Sequence, residues 1–141
     1  MIVELFGVYQ TRALLPESDR HSWASKTARA VDVPRGDAGF TLRVKLVDQD
    51  GHPVKLALPE AGSDSIVLSI GHSWPLQQFT GILAPGNISP NVYDIVVQGS
   101  KVRDYAGKYV YDVFATKGGV KQQVVGASYL TFAPSMGGLK T

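Results

Sequence analysis

The stretch Gly39–Gly51, GFTLRVKLVDQDG, decides the fold class of this chain. Its apolar and polar residues alternate: Phe40, Leu42, Val44 and Leu46 fall on one face, and Thr41, Arg43 and Lys45 on the other. A period of two is the mark of a strand with one buried face. The stretch ends in Asp48–Gly51, whose glycine can take the positive φ of a tight turn. It therefore predicts a half-buried strand followed by a turn.

Similar short segments follow along the chain. They are HPVKLAL (52–58), SIVLSIG (65–71), QFTGIL (78–83), VYDIVVQG (92–99), GKYVYDVFAT (107–116) and VKQQVVGASYLTFAP (120–134). SIVLSIG is apolar on both faces and is predicted to be a central strand. Lys117–Gly119 predicts a hairpin turn, and Gly126 a bulge in the return strand. The pattern predicts an all-β fold, an antiparallel β-sandwich of immunoglobulin-like or jelly-roll type, with seven or eight strands and an extended N-terminal segment.

The 141 residues suit one domain, 1–141. Residues 1–32 mix apolar and charged side chains, so they form either an arm that orders on contact or, in IVELFGV, an edge strand of the same sheet. Pro16–Ala30 is read either as a helix or as a loop with one helical turn. We expect residues 135–141 to form a flexible tail.

Composition excludes several classes of function. The chain has no cysteine, which excludes disulfides, thiolate metal sites and cysteine nucleophiles. Its 14 basic and 12 acidic residues are scattered, so we expect no nucleic-acid partner. No apolar run approaches the ~20 residues that cross a bilayer, and the N-terminus lacks the pattern of a signal peptide. We therefore expect no membrane association.

Gly71-His72-Ser73 follows an apolar strand, as does the nucleophilic serine of many esterases. A nucleophile elbow needs Gly-x-Ser-x-Gly, but the final position here is Pro75. All three histidines precede Ser73, which breaks the order Ser-acid-His. We predict that the chain has no catalytic residues and is not an enzyme.

The remaining candidate motifs have simpler structural explanations. The histidines His21, His52 and His72 lack metal-ligand spacing, and Asp48 with Asp50 suits a charged turn, so no metal or cofactor is predicted. Arg-Gly-Asp at 35–37 reads as a turn before a strand. The aromatic residues are expected to pack in the core, with a sugar-binding platform as the alternative; they are Trp74, Phe79, Tyr93, Tyr105, Tyr109 and Tyr111.

Two segments together carry a resemblance to a known family. They are VPRGDAGFTLRVKLVDQDGHPVKL (33–56) and YAGKYVYDVFATKGGVKQQVVGASYLTFAP (105–134). Their layout of strands and glycine turns resembles the immunoglobulin-like N-terminal domain of phage upper-baseplate proteins and related small virion proteins of tailed phages. The resemblance implies a structural virion protein, assembled in the host cytoplasm, that docks onto other virion proteins and packs as a homo-oligomer in rings or lattices.

The resemblance leaves the location within the virion open. In the baseplate proteins a long C-terminal region follows this domain, whereas the present sequence ends at Thr141. That difference speaks against the role of a baseplate arm and suits capsid decoration or cementing, or a small ring at the head–tail connector or tail. We expect capsid decoration, with the major capsid protein as partner, and keep a tail, connector or baseplate component as the alternative. A carbohydrate-binding module, using Trp74, Tyr105, Tyr109 or Tyr111, is the alternative of another class.

Apolar residues outside the clearest strands are the candidate contacts with virion proteins. We expect weak single contacts to add up over a lattice by multivalency. The candidate partner-binding residues are Ile2, Leu5, Phe6, Leu14, Leu15, Trp23 and Trp74.

Overall fold

The structure is a computed structural model that describes residues 1–11, 27–58, 62–72, 76–85 and 89–133. These residues form nine strands: β1 Ile2–Val8, β2 Val31–Val33, β3 Phe40–Val47, β4 Ser65–Gly71, β5 Gln77–Thr80, β6 Ile82–Leu83, β7 Val92–Val97, β8 Gly107–Lys117 and β9 Val120–Phe132. Short 3₁₀ turns lie at Gly36–Ala38 and Gly99–Lys101. No helix in this part of the chain is long and apolar enough to span a membrane.

The strands form two sheets, which confirms the predicted all-β sandwich. One sheet has the order β1-β3-β7-β6, and the other has the order β2-β9-β8-β4-β5. The strand order, though not the direction of β1, matches that of a variable-type immunoglobulin domain, with an ABED sheet facing a GFCC′ sheet and β2 added beside the last strand. The strand order therefore decides between the two predicted types of sandwich, in favour of the immunoglobulin-like one.

Two edge pairings depart from the predicted antiparallel arrangement. β1 pairs in parallel with β3, from Ile2 opposite Thr41 to Val8 opposite Val47, and β2 pairs in parallel with β9. Parallel neighbours need a long crossover, and residues 9–39 supply one between β1 and β3. IVELFGV is therefore an edge strand, one of the two alternatives for the N-terminus. Residues 12–26 and 134–141, which include nearly half of the expected arm (1–32) and the whole expected tail, lie outside the described residues.

The predicted strand HPVKLAL was wrong. Residues 52–58 contain a single bridge, between Val47 and Pro53. Pro53 cannot donate a ladder hydrogen bond. The Val54 N–H still donates to the carbonyl oxygen of Leu46 over 3.0 Å, but beyond it side chains are the acceptors: the Leu56 N–H donates to the Tyr93 hydroxyl over 2.7 Å. The Ala57 N–H donates to the carboxylate of Asp64 over 2.8 Å.

The core lies between the two sheets and confirms the period-two pattern of β3. Leu42, Val44 and Leu46 are fully buried there, and Phe40 is nearly so. β4 lies between β8 and β5, as its two apolar faces predicted. The register of β8 and β9 shifts on either side of Val113, opposite the stretch that contains Gly126, so the predicted bulge is present.

Asp64 joins the segment after Pro53 to the β8–β9 hairpin. Its carboxylate accepts hydrogen bonds from the N–H groups of Ala57, over 2.8 Å, and Gly118, over 3.0 Å. The hydrogen bond from Ala57 is the main cause that lowers the pKa of Asp64 below its ordinary value. A lowered pKa in the folded state stabilises the fold at neutral pH, and this contribution is lost as the pH falls through that pKa.

We therefore expect Asp64→Asn to lower the free energy of unfolding by about 1–3 kcal/mol at pH 7, because the amide cannot accept both bonds equally well. The decrease in stability of the wild type below about pH 4 should become shallower in the variant. Urea denaturation between neutral and acidic pH measures both effects. Asp104→Asn, at an exposed position, is the control, and an equal pH dependence in the two variants would contradict the role given to Asp64.

Candidate docking surface

The four-stranded sheet presents one side to the core and the other outward, where the side chains of β1 and β3 are exposed or half-buried but Val92 and Asp94 of β7 are buried. Side chains on the solvent side align across the strands in two main rows. One row is Ile2–Thr41–Val96, and the next is Glu4–Arg43–Asp94–Ile82, with Phe6 and Lys45 beyond it. We call this surface the outer face: Ile2, Glu4, Phe6, Thr41, Arg43, Lys45, Ile82, Asp94 and Val96.

Large apolar side chains are exposed on the outer face. Phe6 is 63% exposed, Ile82 52%, Ile2 51% and Val96 49%. Scattered exposed apolar residues are normal, but a group on one sheet face marks a candidate contact with another macromolecule. The edge strand β1 supplies two of them and has neither the lysine nor the proline that usually blunts an edge.

A row of charges crosses the middle of the outer face. Arg43 binds Asp94 through two hydrogen bonds, Nε to Oδ1 over 2.8 Å and Nη2 to Oδ2 over 3.0 Å. This contact is the main cause that raises the pKa of Arg43. At the other edge of β1, Nη1 of Arg29 donates to the Glu4 carbonyl oxygen over 2.9 Å. The ammonium of Lys45 lies 5.8 Å from the centre of the Phe6 ring.

A groove of about 930 Å³ runs along β1. Its lining includes the outer-face residues Glu4, Phe6, Arg43 and Lys45 together with Arg29–Asp32. Its lining combines an aromatic ring with charges of both signs, which suits a protein surface of mixed character.

The predicted partner-binding residues have different positions. Ile2 and Phe6 lie on the outer face and are exposed, whereas Leu5 is 5% exposed and belongs to the core. Leu14, Leu15, Trp23 and Trp74 lie outside the described residues. Sequence reasoning missed Ile82, Val96 and the row of charges, because the pairing of β3 with β1 and β7 cannot be read from the alternation of one strand.

The aromatic residues near the other sheet form a stack. His72 stacks on Tyr109 with ring centres 3.9 Å apart, and Tyr105 stacks on the same ring at 4.5 Å. Tyr111 is fully buried, and its hydroxyl donates to the carbonyl oxygen of Arg29. Burial raises the pKa of Tyr111 to about 12. Tyr111 is therefore not available to a sugar platform, whereas Tyr105 and Tyr109 are half-buried and line a pocket together with His72.

The candidate metal and adhesion motifs are turns. Asp48, Asp50 and His52 have ligand atoms within 4.8 Å of one another. One oxygen of Asp48 accepts the N–H groups of Asp50 and His52, each over 2.9 Å, so the cluster closes a tight turn. Arg-Gly-Asp is the predicted turn before β3, where the guanidinium of Arg35 lies 3.2 Å from the Asp37 carboxylate.

The fold has a counterpart among solved structures. No protein-family model and no curated protein matches the sequence. The N-terminal domain of phage TP901-1 ORF48 has a similar fold, with a TM-score of 0.51 and 11% sequence identity. The match covers 95% of this chain and 100% of that chain. At this identity the likeness concerns the fold alone, and at that level it supports the resemblance to phage N-terminal domains that the sequence predicted.

Proposed function

We propose that this chain is a non-enzymatic structural protein of a tailed-phage virion that binds other virion proteins through its outer face. The observation that carries the proposal is the group of exposed apolar side chains, Ile2, Phe6, Ile82 and Val96, around a row of charges. The likeness of the fold to a phage domain supports the virion assignment, as does the sequence resemblance.

Within the virion, we favour the tail or baseplate. The sequence resemblance is to N-terminal domains of upper-baseplate proteins, and the similar fold is also the N-terminal domain of a phage protein. Capsid decoration or cementing uses the same kind of apolar surface and is the second location. The two locations differ in the partner that covers the outer face: a tail or baseplate protein in the first, the major capsid protein in the second.

Cross-linking of purified phage particles with an amine-reactive reagent tests the proposal. Lys45 lies on the outer face beside Phe6, so we expect cross-links from Lys45 to a neighbouring virion protein. Lys108, on the opposite sheet, is the internal comparison and should give fewer. Links to a tail or baseplate protein support the favoured location, and links to the major capsid protein support decoration. Absence of the chain from purified particles would contradict the proposal.

A further inference from the structure

We infer that the outer face binds a second copy of this chain, related by a two-fold axis that runs parallel to the strands between β1 and β3. This inference rests on the proposed use of the outer face as a docking surface. The order of the charges on the outer face indicates that the partner bound there is a second copy of the chain.

Four charged residues lie at one height across the sheet, and their signs alternate. Glu4 is the register partner of Arg43, and Arg43 is the register partner of Asp94. Arg29 extends the row beyond β1, because its guanidinium is bonded to the Glu4 carbonyl oxygen. From the edge inwards the row reads Arg29, Glu4, Arg43, Asp94, which is plus, minus, plus, minus.

Such a row is complementary to its own reversed copy. A two-fold axis parallel to the strands keeps each residue at its height and reverses the order of the row. Glu4 then faces Arg43 of the second copy, and Arg43 faces its Glu4. Asp94 is 5% exposed and bonded to Arg43, so it lies beneath the contact and holds the Arg43 guanidinium in place. An axis in the sheet plane but perpendicular to the strands, at the height of this row, would place Glu4 on Glu4 and Arg43 on Arg43. Like charges in contact cost several kcal/mol, so electrostatics selects the parallel axis.

The apolar residues fit the same axis. Phe6 and Lys45 are register partners, so the axis places Phe6 against Lys45 of the second copy, where a cation can lie over the ring. Ile2 is placed against Thr41 of the second copy in the same way. Because the axis superposes only β1 and β3 fully, the interface is small, and we expect a weak, concentration-dependent dimer.

Sedimentation equilibrium of the full chain over a concentration series tests the inference. We expect a reversible dimer in the wild type and an increase of the dissociation constant by at least about 30-fold in Phe6→Asp, the loss typical of a central aromatic contact. Val110→Asp is the matched control, because Val110 is exposed on the opposite sheet. A monomer at every concentration, or equal effects of the two variants, would overturn the inference.

Reversal of the whole row tests the axis itself. The variant R29E/E4R/R43E/D94R has the order minus, plus, minus, plus, so it should dimerise with itself but not mix with the wild type. Native mass spectrometry of the mixture counts the mixed dimers, after circular dichroism has established that the variant is folded. Free mixing would overturn the axis. If the reversed chain does not fold, Glu4→Arg alone must weaken the wild-type dimer, since it sets a second guanidinium against that of Arg43, and an unchanged dissociation constant would overturn the inference.

The tests of the dimer and the test of the virion role can fail independently of each other. A monomeric chain whose Lys45 is cross-linked to another protein in particles would remove the second copy as occupant and leave the virion role standing. A dimer that is absent from phage particles would do the reverse.

Discussion

Replacing Gly36 by alanine is expected to lower the free energy of unfolding by about 3 kcal/mol or more, in the upper range of overpacking effects. A Cβ at this position would lie 1.9 Å from the carbonyl oxygen of Val102 and 2.9 Å from that of Tyr105. Both obstacles are backbone atoms, which cannot move aside by a change of rotamer. The clash is reciprocal, since a Cβ on Gly99 would lie 2.1 Å from the carbonyl oxygen of Asp37.

Gly51→Ala is the control for this prediction. Gly51 has a φ of 83°, and a Cβ added there would meet no atom within 4 Å, so alanine costs only the left-handed conformation, about 1–2 kcal/mol. Urea denaturation of both variants separates the two costs. An equal loss of stability in Gly36→Ala and Gly51→Ala would mean that the two 3₁₀ turns do not pack backbone against backbone. The expected difference would make the glycine of Arg-Gly-Asp a packing residue.

Phe132→Ala is expected to cost about 3–5 kcal/mol. Phe132 is 1% exposed, and its ring meets the edges or faces of three others. The ring centres lie 6.1 Å from Phe40 and 5.5 Å from both Tyr105 and Tyr109. Truncation leaves a cavity and removes all three contacts, so the stack of Tyr105 on Tyr109 should also lose its fixed geometry.

Tyr129→Ala, on the same strand but 51% exposed, is the control for Phe132→Ala. It should cost no more than about 1 kcal/mol. Denaturant unfolding gives the two free energies, and the near-ultraviolet circular dichroism of the tyrosines reports the order of the stack. A small effect of Phe132→Ala, or an unchanged tyrosine signal, would contradict the assignment of these aromatics to the core.

Most strands of the sandwich could be predicted, because the patterns that indicate them involve residues close together in the sequence. The alternation in Phe40–Leu46, the glycine turn at Lys117–Gly119 and the two apolar faces of Ser65–Gly71 each depend on neighbouring residues only. The prediction that was wrong depends on contacts with residues that are distant in the sequence. Residues 52–58 do not form the predicted strand, because the N–H groups of Leu56 and Ala57 donate to the Tyr93 hydroxyl and the Asp64 carboxylate. These acceptors lie outside the segment, so its local pattern does not indicate them.

The residues of the candidate docking surface were predicted only in part for the same reason. Ile2 and Phe6 could be named as apolar anchors from the N-terminal composition, but Leu5 between them alternates into the core once β1 joins the sheet. The charged row needs two registers at once, that of β1 with β3 and that of β3 with β7. A single sequence contains neither register, so it does not show that Arg43 and Asp94 form a pair.

The absence of cysteine from the chain allows a direct test of the outer face. A single cysteine is placed either at Val96, on the outer face, or at Val110, on the opposite sheet; the native side chains are 49% and 39% exposed. The rate of labelling by a thiol reagent is then measured in the dilute free protein and in purified phage particles. We predict that assembly protects Val96→Cys by at least an order of magnitude and leaves Val110→Cys nearly as reactive as before. Equal labelling of Val96→Cys in both states would contradict a docking role for the outer face.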